Sequence, residues 1–137
     1  VGGDAQAPAM KKVAGGLRLD MAAYREVAAF AQFGSDLDRA TQAQLGRGQR
    51  LQEILKQPQY APRQLEQEVV AIYSGTRGFI DEIPVDQVQD WETAVLRHLA
   101  ASHPDILQEI TQTKTLSPEL AARLEEAIRS FNKGWRG

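Results

Sequence analysis

The sequence predicts an all-α fold, an antiparallel helical bundle of about five to six helices with no substantial sheet. Three observations carry that expectation. Apolar residues recur at steps of three and four, as in Met10, Val13, Leu17, Met21, Tyr24, Ala28 and Ala31, which is the spacing of one stripe on a helix. Alternation of β-branched residues, the mark of a half-buried strand, is nearly absent. Proline and glycine fall mainly between the periodic stretches, where they punctuate helices. The 137 residues fit a single helical domain with a modest core.

The first helix is expected from about Pro8, a favourable residue at a helix start, to Phe33. Gly15-Gly16 weakens it by roughly 1 kcal/mol per glycine relative to alanine. The apolar register from Val13 to Leu17 is unbroken, so the helix is expected to run through. Gly34 is a natural stop, because glycine takes a positive φ at little cost. Ser35 is then the expected N-cap of a second helix, with Asp36 and Asp38 in its first turn, where the dipole favours anions. That helix spans roughly Leu37 to Lys56, with Leu37, Leu45, Leu51, Ile54 and Leu55 on its apolar side and Gly46 and Gly48 marking close packing. Pro58 and Pro62 enforce a loop, since each biases its preceding residue away from helix.

A short third helix near Gln64 to Ser74 carries Leu65, Val69, Ile72 and Tyr73, and Gly75-Thr76-Arg77-Gly78 is expected to end it. Phe79, Ile80 and Ile83 anchor the passage to a fourth helix beginning near Pro84. Its stripe is Val85, Val88, Trp91, Val95 and Leu99, and it stops around His103-Pro104. The fifth includes Ile106, Leu107 and Ile110. Ser117 caps the sixth and Pro118 opens it. Leu120, Leu124, Ala127, Ile128 and Phe131 form its inner face, and Gly134 closes it.

Hydrophobic residues make up 42% of the sequence and charged residues 25%, ordinary for a globular protein. A net charge of −2 gives no electrostatic reason to expect nucleic acid or an anionic membrane as partner. The absence of cysteine excludes disulfides, thiolate metal sites and cysteine catalysis together. No run approaches the roughly 20 apolar residues of a membrane helix, so direct membrane insertion is not expected. No charged-then-apolar leader is present. The sequence opens Val1-Gly2-Gly3 without an initiator methionine, and a processed or excised fragment is expected.

Two segments carry candidate chemistry. Gly34-Ser35-Asp36-Leu37-Asp38 is the tip of a helical hairpin, with two carboxylates and one exposed leucine; by itself it reads as a solubilising cap. Gln57-Pro58-Gln59-Tyr60 sets two amides about a proline, able to offer donors and acceptors to a planar heterocycle; by itself it reads as a solvated loop. His98 and His103 lack the i, i+4 spacing of helical zinc ligands and are expected near the surface, with no metal. Asp81, Glu82 and Asp86 fit helix-start charge better than acid–base chemistry. Trp91 and Trp135 fit core and tail packing.

Longer stretches carry a resemblance. Met10-Lys11-Lys12-Val13-Ala14-Gly15, Leu17-Arg18-Leu19-Asp20, Tyr24-Arg25-Glu26 and Ala29 through Asp38 occur in order with Leu55-Lys56-Gln57-Pro58-Gln59-Tyr60-Ala61-Pro62 and Val69 through Thr76. Over nearly its whole length the sequence resembles the C-terminal domain of the α subunit of the F-type, proton-translocating ATP synthase. The resemblance implies a non-catalytic, regulatory part of the catalytic head in ATP synthesis coupled to proton transport, with catalysis mainly on β. It implies that Gln57 and Gln59 edge the adenine of the non-catalytic site, and that the turn Ser35, Asp36, Leu37 and Asp38 faces the γ shaft. No cofactor is implied for the domain alone; ATP or ADP with Mg belongs to the full-length subunit. Implied partners are the β, γ and ε subunits. The implied location is a peripheral complex on the cytoplasmic face of a bacterial plasma membrane, or the equivalent organellar face. In that family Val-Gly-Gly follows an arginine that reaches toward the neighbouring catalytic nucleotide. Pro8, the stretch Arg63 to Glu68, and the glycines Gly16 and Gly46 depart from the family pattern. The alternative reading is a free-standing helical adaptor with a groove for a partner helix. A docked domain predicts instead an exposed apolar patch along the first helix and beside Gln57–Tyr60.

Overall fold

The computed structural model describes residues 7–31, 38–56 and 63–135. They form six helices: α1 (Pro8–Ala31), α2 (Arg39–Leu55), α3 (Leu65–Thr76), α4 (Val88–Ser102), α5 (Pro104–Thr113) and α6 (Pro118–Gly134). No strand occurs among the described residues. A 3-10 turn, Val85–Gln87, leads into α4.

Helix α1 runs without interruption through Gly15-Gly16, as its apolar register predicts. It forms a hairpin with α2, and both rest on α3. The crossing is close because Gly48, buried on α2, lies against the Tyr24 side chain of α1. Helix α3 is the centre of the domain: every residue from Val69 to Gly75 is buried. Around it, the core is completed by Leu51 and Ile54 of α2, Val88, Trp91, Val95 and Leu99 of α4, Ile106 and Ile110 of α5, and Leu120, Leu124 and Ile128 of α6. Each set repeats at three or four residues, so the stripes legible in sequence are the faces that pack.

Several boundaries differ from expectation. Helix α2 starts at Arg39, not Leu37, and its N-cap is Asp38. Helix α3 continues through Gly75 to Thr76; the glycine there admits Leu51, whose Cδ2 would stand 2.6 Å from an added Cβ. Gly78 is where the backbone turns, at φ +85°, a value glycine adopts freely. Leu55, expected on the apolar side of α2, is exposed. The sixth helix is as predicted, with Ser117 Oγ accepting from the Leu120 N–H at 3.1 Å and Pro118 at its first position. His98 and His103 are half-buried rather than at the surface, with ring centroids 5.6 Å apart, and His98 also lies against Phe131.

Candidate functional site

Of the sequence-predicted site residues, Asp38 alone lies among the described ones. Ser35, Asp36 and Leu37 fall in 32–37, and Gln57 and Gln59 fall in 57–62, both outside them. What the structure gives is the framework from which each segment leaves and to which it returns.

At the hairpin end, Asp38 is not a first-turn charge. Its backbone is extended, and its Oδ1 accepts the Thr41 N–H at 2.8 Å, satisfying one of the orphan donors at a helix start. The Thr41 hydroxyl and then its N–H hold the Asp38 carboxyl below the usual carboxylate range. Asp38 thus has structural work in α2.

Further along the hairpin, Arg47 of α2 grips Asp81 with two parallel hydrogen bonds, Nε to Oδ1 at 3.2 Å and Nη2 to Oδ2 at 2.6 Å. Asp81 is therefore one half of a forked ion pair rather than a helix-start charge. Asp20 of α1 lies near; burial raises its pKa, with Arg47 opposing. Arg47 and Asp81 tie α2 to the turn after α3, with Asp20 of α1 within electrostatic reach.

The exit and re-entry of the 57–62 segment are joined by Arg63. Its Nη2 donates to the Ile54 carbonyl at 2.5 Å and the Lys56 carbonyl at 3.0 Å, at the C-terminal end of α2. The same guanidinium forks onto Glu92 of α4, through Nε to Oε2 and through Nη2 to Oε1 at 2.8 Å. The Arg63 and Glu92 side chains are only 4% and 8% exposed, respectively. A cation at a helix C-terminus meets the unpaired carbonyls where the dipole is negative. Just beyond, the Gln67 side chain accepts from the Gln64 N–H at 3.0 Å and fixes the start of α3.

Sequence reasoning gave Arg63 no role beyond marking a departure from the family pattern, and it passed over Glu92. One signal was available: Glu92 stands four residues after Val88 and three before Val95, on the buried stripe of α4. A carboxylate there requires a partner.

Among the described residues no group of three or more His, Asp or Glu could hold a metal ion. No helix among them is long and apolar enough to cross a membrane. Among the described residues the exposed large hydrophobic ones are Leu19 and Phe30 on α1 and Leu55 at the end of α2. Leu19 and Phe30 stand eleven residues apart, about three full helical turns, and so share one face.

The family model for the ATP synthase alpha/beta chain, C terminal domain, matches residues 6–131. The sequence is 54% identical over 136 residues to ATP synthase subunit alpha of Mycolicibacterium smegmatis, spanning 99% of this protein and 25% of that one. It is 50% identical over 133 residues to ATP synthase subunit alpha of Desulforudis audaxviator, spanning 97% and 26%, respectively. The subunit alpha of Mycolicibacterium vanbaalenii gives 54% over 135 residues, spanning 98% and 25%. The 137 residues thus span about a quarter of the length of the curated relatives they match. This likeness fits the ATP synthase reading and not that of a free-standing adaptor.

Proposed function

The protein belongs to the family of C-terminal domains of ATP synthase alpha and beta subunits, and from that premise we propose that it works as the rotor-facing end of an alpha-type subunit. In this reading it is not itself a catalyst. It contributes to the alpha/beta ring of a proton-translocating ATP synthase, contacts β, γ and ε subunits, and walls one side of a non-catalytic nucleotide site. Gln57 and Gln59 supply the adenine edge. The sequence holds no phosphate-cradling G-x-x-x-x-G-K-[ST] stretch, so phosphates and Mg are assigned to the rest of the full-length subunit. The complex would sit peripherally on the cytoplasmic face of a bacterial plasma membrane or its organellar equivalent.

The observation that carries the reading is the end-to-end likeness to alpha subunits, unbroken over residues 6–131 for the family. Leu19, Phe30 and Leu55 stand exposed, but singly exposed apolar residues are ordinary on a globular surface and do not make the patch that a docked domain predicts.

The γ-facing turn is tested at Asp36 rather than Asp38, because reversing Asp38 would also remove the α2 cap. An exposed charge pair contributes only about 0–1 kcal/mol, suited to a contact that must release its partner at every rotation. In the assembled complex, Asp36→Lys is expected to weaken γ-dependent coupling of hydrolysis to proton pumping while leaving assembly intact. Coupling identical to the parent complex would reduce the turn to a solubilising cap.

A further inference from the structure

Two carboxylates are buried among the described residues, those of Glu92 and Glu66, which are 6% and 8% exposed, respectively. A buried carboxylate needs a partner. Arg63 answers Glu92, but no cation among the described residues pairs with Glu66. Its Oε2 accepts from Thr111 Oγ1 at 2.8 Å, and that hydroxyl also points at the Leu107 carbonyl, 2.9 Å away. A hydroxyl has a single hydrogen to divide between the two. Glu66 Oε1 accepts no hydrogen bond from the described residues. The dipole of α3 favours an acid in its first turn, and Glu68 of that turn has the same benefit while only half-buried. The dipole therefore accounts for an acid here but not for its burial.

Glu66 lines a groove of about 340 Å³ between the start of α3, the end of α4 and α5. Ala100 and Leu107 give this groove apolar wall, and Gln108 and Gln112 of α5 bring amides to it, whose carbonyl oxygens accept hydrogen bonds. Those are the needs of a lysine side chain: apolar surface for a four-carbon stem, and acceptors around an ammonium with three donors. A guanidinium pairs best with both oxygens of a carboxylate at once. With Oε2 engaged by Thr111, Oε1 suits the point charge of an ammonium instead. We propose that this groove is a docking site for a lysine of a neighbouring subunit, whose ammonium meets Glu66 Oε1 and whose stem lies along Ala100 and Leu107. Such a neighbour exists only if the assembled-complex reading above holds. A free amine would give up its translational freedom for one ion pair, whereas a lysine on a neighbour already held in place gives up little.

The test uses the full-length alpha subunit, free and in its assembled complex. Carboxylates are labelled with a carbodiimide and glycine ethyl ester and mapped by peptide mass spectrometry; in a second sample the carbodiimide alone joins carboxylates to lysines in contact. Glu66 is expected to label in the free subunit, to lose that labelling in the complex, and to appear there in an isopeptide bond with a lysine of a neighbouring subunit. Glu66→Gln keeps the shape of the side chain and an acceptor for Thr111 but removes the charge. It should abolish the crosslink and speed release of that neighbour by about tenfold, with the thermal midpoint of the free subunit little changed. Equal labelling in both samples would show an empty groove, and labelling in neither would show a closed one. Protection without a lysine crosslink, or a crosslink within the same polypeptide, would assign the groove another occupant. A free subunit destabilised by Glu66→Gln as much as the complex would make the carboxylate structural. Each of these overturns the docking site while leaving the assembled-complex reading in place. Failure of the parent subunit to assemble with any neighbour would remove that reading and this site with it.

Discussion

Glycine-to-alanine substitution should change sign between α1 and α2, and the sign tests the packing of the hairpin. A Cβ added at Gly48 would lie 2.2 Å from both Cγ and Cδ1 of Tyr24 and 2.5 Å from its Cβ. Carbon atoms in contact prefer about 3.5–4.0 Å, so the crossing must open by about 1 Å or more. Turning the tyrosine ring cannot relieve this, because the Cβ itself is among the obstructing atoms. Overpacking of this kind costs about 1–3 kcal/mol, against a helix-propensity gain of about 1 kcal/mol. Gly48→Ala is therefore expected to destabilise the domain by up to about 2 kcal/mol. A Cβ at Gly15 meets nothing within 4 Å, and Gly15→Ala should stabilise by about 1 kcal/mol. For a domain of this size the two midpoints should part by about 3–15 °C in thermal unfolding followed by far-UV circular dichroism. Tyr24→Phe, which keeps every obstructing atom, should not rescue Gly48→Ala. If Gly48→Ala raises Tm as Gly15→Ala does, Gly48 is not the point of closest approach and the described hairpin crossing is wrong.

Two further outcomes follow from buried polar groups. Asn132 accepts from Trp91 Nε1 at 2.7 Å and donates to the Phe79 carbonyl at 2.8 Å, so Asn132→Ala strands both partners and should cost about 1–3 kcal/mol, read by denaturant unfolding on tryptophan emission. Tyr73 is pushed up to about 12, chiefly by burial and then by its hydrogen bond and charge contact with Glu125. The folded state therefore keeps a proton that the unfolded polypeptide gives up near the ordinary tyrosine value of about 10. The stabilisation is fully present below that value and is lost as pH rises through about 12. Tyrosinate absorbance should show this late step, and Tyr73→Phe should abolish it.

The fold was legible because it rests on a local property. Burial needs a stripe, and the stripes of α1, α4 and α6 stand in the sequence at helical spacing whatever they pack against. Ends were less legible because several residues compete for one role. Ser35 and Asp38 are both good N-caps, and the choice of Asp38 shows only in its bond to Thr41. Gly75 looks like a stop, yet it sits inside α3 because Leu51 needs the space a Cβ would fill. A glycine's purpose, termination or close approach, is set by what arrives from elsewhere in the fold.

The candidate site divides along the same line. Two amides about a proline announce hydrogen-bonding capacity, which belongs to residue type and can be read anywhere. Arg63 announces nothing of the kind: after Pro62 it looks like one more solvated charge. Its role exists only because Glu92, 29 positions away, and the last carbonyls of α2 converge on one guanidinium. Glu92 on an otherwise apolar stripe was half of that information, since a buried carboxylate without a partner is untenable. The sequence does not say which cation answers it, because partner choice is decided by how α2, α3 and α4 pack.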